Sequence, residues 1–394
     1  MSNHSTPVKW SEKDKKEMSH TLLAWYDEEM RLLPWRENTD PYRVWVSEIM
    51  LQQTQVVTVI PYFHRFLEWF PTIRDLANAP EDKLLKAWEG LGYYSRVRNM
   101  QKAAQEMVEN FGGKMPDNLP DILSLKGIGP YTGGAISSIA FNLPEPAIDG
   151  NVMRVYSRLF CLTDDIGEVK SRKVFDEKVR ETISMDRPGD FNQALMDLGA
   201  TVCTPTSPKC ESCPLSQYCA AFKAGTMTDY PVKKKKIKTV PMFYTGMAIQ
   251  NEAGDYLLEK RSADGLLANM WTFPLVEVAK ASYESMVDDW KNYQEDKKEI
   301  NLFDFVAEDS GLIQGVFLAS LVKGESDVVW QKQPIGEVKH VFSHRKWHIL
   351  LGHGFVKKEQ ERPLKENQAW VHPDDFETFV FPKPQQKMVA FLNK

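Results

Sequence analysis

Residues 203–219 read CTPTSPKCESCPLSQYC, which spaces Cys203, Cys210, Cys213 and Cys219 as C-x6-C-x2-C-x5-C. Four thiolates this close together repel one another, and a bound cation or cluster removes the repulsion. Structural zinc favours two paired knuckles, whereas this segment has a single C-x2-C and no histidine. The spacing ranks an iron-sulfur cluster first, zinc second and unliganded cysteines last. The fifth cysteine, Cys161, lies between Phe160 and Leu162 and reads as core.

Upstream of this group, from about residue 12 to 223, apolar residues recur at spacings of three and four, punctuated by Pro and Gly, as in VWVSEIMLQQTQVVTVIPYFHRFLEWF and DGNVMRVYSRLFCL. That periodicity predicts an all-α region. Downstream, GTMTDYPVKKKKIKTVP has a lysine-rich run from Lys233 to Lys238 without an apolar face and reads as a linker. Beyond Pro241 come short β-type runs, FYTGMAIQ, YLLEKR, GVFLASLV, VVWQKQ and WHILLGHGFV, with a turn signal at Asn251 to Gly254. We therefore divide the chain into an all-α domain at 1–229, a linker at 230–240 and an α+β domain at 241–394.

The 394 residues are 42% hydrophobic and 26% charged, the composition of a folded protein with room for more than one core. No apolar run approaches the roughly 18 residues of a membrane-spanning helix, so no membrane partner is expected. The opening MSNHSTPVKWSEKDKKEMSH carries acids and no apolar stretch. Neither a secretory signal nor a transit peptide fits it; the expected location is a bacterial cytoplasm, and clustered cysteines there favour metal over disulfides. The net charge of −5 is unlike a nucleic-acid binder, although a whole-chain sum hides local patches.

LSLKGIGPYTGGAIS (residues 123–137) reads as helix, Gly-rich turn and helix, with Gly127 and Gly129 freeing the backbone and Pro130 opening the second helix. Such a turn points amides outward beside Lys126, where a DNA phosphate would bind without regard to sequence; an ordinary helical hairpin is the plainer reading. The cysteine spacing and this motif together resemble the helix-hairpin-helix DNA glycosylases of the endonuclease III superfamily. The resemblance covers roughly the first 225 residues and implies a 4Fe-4S cluster on the four cysteines, with Lys209 in a DNA-contacting loop. Members that also cut the strand form a Schiff base through a lysine, and the corresponding position here is Tyr131. A phenol cannot form an imine, so base release without strand cleavage is expected.

Breaking an N-glycosidic bond calls for one neutral and one ionised carboxyl group. Glu48 has Val44, Trp45 and Leu51 three and four residues away, an apolar setting that would raise its pKa. Asp149 precedes Gly150 at an apparent helix start, where backbone amides would favour its ionised form. A structural glutamate and a capping aspartate are the plainer readings of the same residues. LPWRENTDPYRVWVSEIMLQQT, WEGLGYYSR and IDGNVMR, however, closely resemble the adenine DNA glycosylases of the MutY family, which act on adenine opposite 8-oxoguanine. That resemblance implies Glu48 as proton donor, Asp149 as stabiliser of the oxocarbenium ion, and Tyr131 and Asn151 as support. It further implies Arg36, Trp35 and Gln193 around the extruded base, and Gln53, Leu91 and Tyr93 filling the gap left in the duplex.

From about residue 241 the chain resembles the same family's C-terminal domain, related to Nudix hydrolases. A working Nudix hydrolase needs an acid-rich metal-binding helix. After GLLANMWTFPL this sequence has YESMVDDW, so a recognition module is expected. In VKHVFSHRKWH, Phe342, Ser343 and His344 match the family's loop for 8-oxoguanine. His340, His344 and His348 recur every four residues and would share a face on one helix or strand, a competing metal site that lacks an acidic partner. The fold expected is an all-α helix-hairpin-helix glycosylase domain with an iron-sulfur loop, then an α+β Nudix-like domain. The partner expected is double-stranded DNA holding adenine opposite 8-oxoguanine or guanine, met by a monomer. A pyrimidine glycosylase like endonuclease III, a noncatalytic iron-sulfur DNA-binding protein and a nucleotide pyrophosphatase are the alternatives.

Overall fold

The computed structural model describes residues 10–234, 239–299, 328–331, 333–356 and 363–392. The chain divides into two compact units between Lys236 and Ile237. The first is helical, with α1 (Glu12–Glu29), α2 (Pro41–Leu51), α3 (Val56–Trp69), α4 (Ile73–Ala77), α5 (Glu81–Ala87) and α6 (Ser95–Asn110). It continues with α7 (Leu119–Ser124), α8 (Pro130–Phe141), α9 (Gly150–Phe160), α10 (Arg172–Arg180), α11 (Pro188–Thr201) and α12 (Ala220–Lys223).

Helix starts are written locally. Ser11 and Asp14 form a capping box on α1, Asp40 caps α2 ahead of Pro41, Asn118 caps α7, and Asp149 caps α9. Each side chain takes an amide that the helix itself leaves unpaired. Met18, Leu22 and Tyr26 line one stripe of α1 and pack with Val152 and Tyr156 of α9 and Phe191, Leu195 and Leu198 of α11. Trp45, Phe63, Phe66 and Trp88 fill a second buried region, the rings of Phe66 and Trp88 meeting edge to face. Burial of each such side chain contributes about 2 kcal/mol. Cys161, expected in the core, is instead half-buried and ends α9 with a left-handed φ of 52°; the cap position, where the backbone turns out of the helix, is not enclosed as the interior of α9 is.

A Cβ at Gly134 would lie 2.0 Å from the Pro146 carbonyl oxygen. Glycine is what allows α8 to close on the segment leading into α9, and that contact brings Tyr131 and Asp149 to one place. Residues 230–234, the start of the expected linker at 230–240, make two contacts with the helical unit: Ile166 donates its amide to Val232 O at 3.1 Å, and Lys234 donates its own to Asp165 Oδ2 at 3.1 Å. Backbone pairing of this kind carries no apolar periodicity. Residues 235–238, like the run at 315–322, lie outside the described residues.

The second unit is a mixed sheet with helices: β1 (Val240–Gln250), β2 (Tyr256–Lys260), β3 (Trp271–Thr272), β4 (Leu275–Glu277), α13 (Lys280–Glu299), β5 (Val328–Trp330), β6 (Gly336–Val341), β7 (Arg345–Val356), β8 (Gln368–Val371) and α14 (Lys383–Val389). Strand order is β3-β2-β1-β7-β5, with β4 also on β1, β6 on β7 and β8 on β2. β1 and β7 run parallel, with Val240 opposite Arg345 and Gln250 opposite Phe355. Ala248, Leu258, Phe273, Trp347 and Ile349 form the core beneath. The acids of YESMVDDW lie on α13, where Glu284 meets Lys280 and Asp288 meets Lys291. Among the described residues no helix is long and apolar enough to cross a membrane.

Candidate active site

A cavity of about 180 Å³ in the first unit is lined by Trp35 and Arg36, by Glu48 of α2, Tyr131 of α8, Asp149 and Asn151 at the start of α9, and Gln193 and Met196 of α11. It far exceeds the roughly 10–15 Å³ that one water needs. Seven residues expected around the base, spread over more than 150 positions of sequence, therefore share one chamber.

Glu48 is 5% exposed. Burial pushes its carboxyl up to about 7, against the opposing effect of a hydrogen bond from the Tyr131 hydroxyl to Oε2; the charge of Asp149 adds to the rise and Arg36 opposes it. The Tyr131 hydroxyl is held well above its ordinary range by burial and the two carboxylates, so it remains a donor. Asp149 Oδ1 accepts from the Val152 amide at 2.8 Å, and Oδ2 accepts from Asn151 Nδ2 at 2.7 Å. The helix-start amides expected to favour its charge are present, yet burial outweighs them and its pKa is raised. The two carboxyls are thereby coupled, the charge of Asp149 being one of the causes of the Glu48 rise.

Arg36 does not face the chamber as a free cation. Its Nη1 and Nη2 donate to the two oxygens of buried Asp197 at 2.7 and 3.0 Å, and Arg31 Nε joins at 2.7 Å. The sequence reading missed Asp197 and Arg31. The one local signal was an acid flanked by Leu195, Met196 and Leu198 on an otherwise apolar helix.

The residues expected against DNA lie outside this chamber. Gly127 has a φ of 78°, where a Cβ would also strike Asn99 at 2.7 Å. The hairpin turn is only partly open: the Lys126 amide goes to Glu106 Oε2 at 2.8 Å and that of Ile128 to Leu125 O, leaving those of Gly127 and Gly129 without a partner among the described residues. Gln53 and Tyr93 are exposed, each with a left-handed backbone, φ 57° and 49°. Leu91, expected beside them, is buried at 6% exposure; its apolar side chain turns into the protein, while its amide donates to Trp88 O at 3.1 Å and its carbonyl accepts from Arg96 Nη2 at 3.1 Å.

The four cysteines line a small cavity with Arg158, Val202, Pro208 and Phe222. Burial pushes the thiol of Cys213 up to about 12 and that of Cys219 to about 11. Buried Arg158 donates from Nη1 to Cys203 Sγ at 3.2 Å, the kind of contact that favours thiolate. Among the described residues no three His, Cys, Asp or Glu side chains converge on a point that would hold one metal ion. Four clustered thiols are the soft donor set that an iron-sulfur cluster takes. The donor set fits the cluster.

In the second unit, Phe342, Ser343 and His344 form the tip of the β6–β7 hairpin, closed by the Phe342 amide donating to Arg345 O at 2.7 Å. Phe342 packs on His340 and Trp347, while Ser343 and His344 are exposed. The histidine repeat does not make one face. The chain reverses at 342–344, and Lys339, not His340, stands opposite His348.

This architecture, a helical hairpin beside a chamber holding two carboxylates, followed by a four-cysteine loop and a mixed-sheet unit, is that of a base-excision DNA glycosylase. Residues 46–181 match the family described as HhH-GPD superfamily base excision DNA repair protein, 203–219 the iron-sulfur binding domain of endonuclease III, and 245–391 the NUDIX domain. The Adenine DNA glycosylase of Buchnera aphidicola (subsp. Schizaphis graminum) is 37% identical over 384 residues, covering 95% of this chain and 98% of that one. The Adenine DNA glycosylase of Arabidopsis thaliana is 33% identical over 383 residues, covering 87% and 58%, and that of Mus musculus 46% over 212 residues, covering 51% and 41%. The chain thus spans nearly all of the bacterial relative and about half of the plant and animal ones. It belongs to the adenine DNA glycosylase family, and its cofactor is a 4Fe-4S cluster.

Proposed function

We propose that the chain excises adenine from duplex DNA in which the adenine stands opposite 8-oxoguanine or guanine, leaving an abasic site. The observation that carries this reading is Glu48, buried, raised to about 7 and hydrogen-bonded by Tyr131 in the same chamber as Asp149. A base must leave the stack to reach such a chamber. With Oε2 accepting from Tyr131, Oε1 is the oxygen left to carry the Glu48 proton. That proton passes to a ring nitrogen of adenine as the C–N bond breaks, its electron pair leaving with the base. Positive charge grows on the sugar, and ionised Asp149, held by Val152 and Asn151, lies ready to stabilise it. Water then adds to the sugar carbon and returns a proton to Glu48. Tyr131 offers no amine for an imine, so borohydride should trap no covalent complex with DNA. The cluster, when bound, gathers the 203–219 loop and supplies no acid or nucleophile. Phe342, Ser343 and His344 supply a ring, a hydroxyl and an imidazole suited to the N7–H and oxygen of 8-oxoguanine.

The test compares release of adenine opposite 8-oxoguanine with release of thymine glycol opposite adenine. Adenine release alone is expected; preference for thymine glycol would replace this reading with a pyrimidine glycosylase.

A further inference from the structure

Arg96, the second residue of α6, has a guanidinium with no carboxylate partner among the described residues. Nη1 donates to the carbonyls of Ile49, Met50 and Gln52 at 2.8, 3.2 and 2.6 Å, and Nη2 to those of Leu91 and Gly92, both at 3.1 Å. Its Cζ lies over the rings of Trp88 and Tyr93, 5.2 and 5.5 Å from their centroids. A cation in the first turn of α6 opposes that helix's dipole, and burial without a counter-ion lowers its pKa to about 10. The placement therefore costs α6 stability, and what it satisfies is the carbonyl end of α2, one turn beyond Glu48, together with the 91–92 loop. The residue following each clasped segment is exposed and left-handed: Gln53 after Gln52, and Tyr93 after Gly92. Side chains adopt that backbone only when their surroundings impose it.

We infer that Arg96 is a positioning residue that joins the Gln53 and Tyr93 loops into one unit, in fixed register with Glu48, so that both side chains enter the duplex together as the base is extruded. This rests on the base-excision reading above. A lysine keeps the charge but cannot span five carbonyls with a planar fork.

The experiment uses the full chain and a duplex with 2-aminopurine replacing the adenine opposite 8-oxoguanine, whose fluorescence rises on unstacking, beside single-turnover release of adenine itself. Arg96→Lys is expected to slow extrusion about tenfold to a hundredfold, as a displacement near 1 Å can do. The alkaline limb of the pH profile should not move, and in a Gln53→Ala/Tyr93→Ala background the same change should add less than about twofold. Wild-type extrusion, a displaced pH limb, or the full loss persisting in that background would each overturn the inference. Should Arg96→Lys not fold, Gln53→Ala and Tyr93→Ala carry the test: the double variant within about threefold of the worse single supports the clasp, and full multiplication of the two effects refutes it. Failure of wild type to release adenine would remove the activity reading, while the 2-aminopurine signal would still report on the clasp.

Discussion

Replacing Glu48 by Gln removes an ionisable group whose pKa rises from 4.5 when exposed to about 7 when buried. At about 1.36 kcal/mol per pH unit, that span of about 2.5 pH units amounts to about 3 kcal/mol. Below pH 4.5 the carboxyl is protonated in folded and unfolded chains alike. Between 4.5 and 7 only the unfolded chain gives up the proton, so the glutamate lowers wild-type stability steadily. Above 7 the loss levels off. The amide of the Glu48→Gln variant keeps an oxygen for the Tyr131 hydroxyl and carries no such pH dependence. The stability gap between variant and wild type should therefore widen by about 2 kcal/mol from pH 5.5 to pH 8, on the order of 4–8 °C in Tm for a helical unit of this size. Far-UV circular dichroism melts of both proteins, cluster-loaded, at the two pH values measure it. Adenine release should vanish in the variant while duplex binding persists. A gap equal at both pH values would refute the buried, neutral carboxyl, whatever the activity.

Tyr131→Phe deletes the hydrogen bond that holds the Glu48 pKa down, so the alkaline limb of single-turnover release should move upward by about one pH unit; a downward shift would contradict that role. Asp197→Asn breaks its buried pairs with Arg36 and Arg31, and denaturant unfolding should show a loss of about 3–5 kcal/mol, with weaker substrate binding as Arg36 swings free. An unchanged unfolding midpoint would mean that the pairs are not held in solution. His344→Ala should reduce the preference for an 8-oxoguanine over a guanine partner about tenfold while leaving release opposite guanine intact, as competition between the two duplexes would reveal.

Much of the site was legible because short motifs wrote it. SE-x-MLQQT placed Glu48 on a helix, and DGN placed Asp149 at a cap whose Val152 amide bond the structure contains. Leu91 misled because GLGYY places apolar and exposed residues side by side, and only packing decides which turns inward. The histidine repeat, set aside as a metal site for want of an acidic partner, also fails on geometry, because period counting assumes an unbroken element and a hairpin falls at 342–344. Asp197 and Arg96 stayed hidden because their partners are distant in sequence: 161 residues separate Asp197 from Arg36, and 47 separate Arg96 from Ile49.

The sequence alone determined what depends on neighbours a few residues away: helix caps, the Gly-rich hairpin, the β texture of the second unit and the cysteine spacing that calls for a cluster. Tertiary structure decided the protonation of Glu48, the pairing of Arg36 with Asp197 and the clasping of two loops by Arg96. The physical reason is that desolvation and charge act through space. The hydroxyl that meets Glu48 is 83 residues along the chain, and the water that would have kept its pKa near 4.5 is excluded only once α2 and α8 have packed.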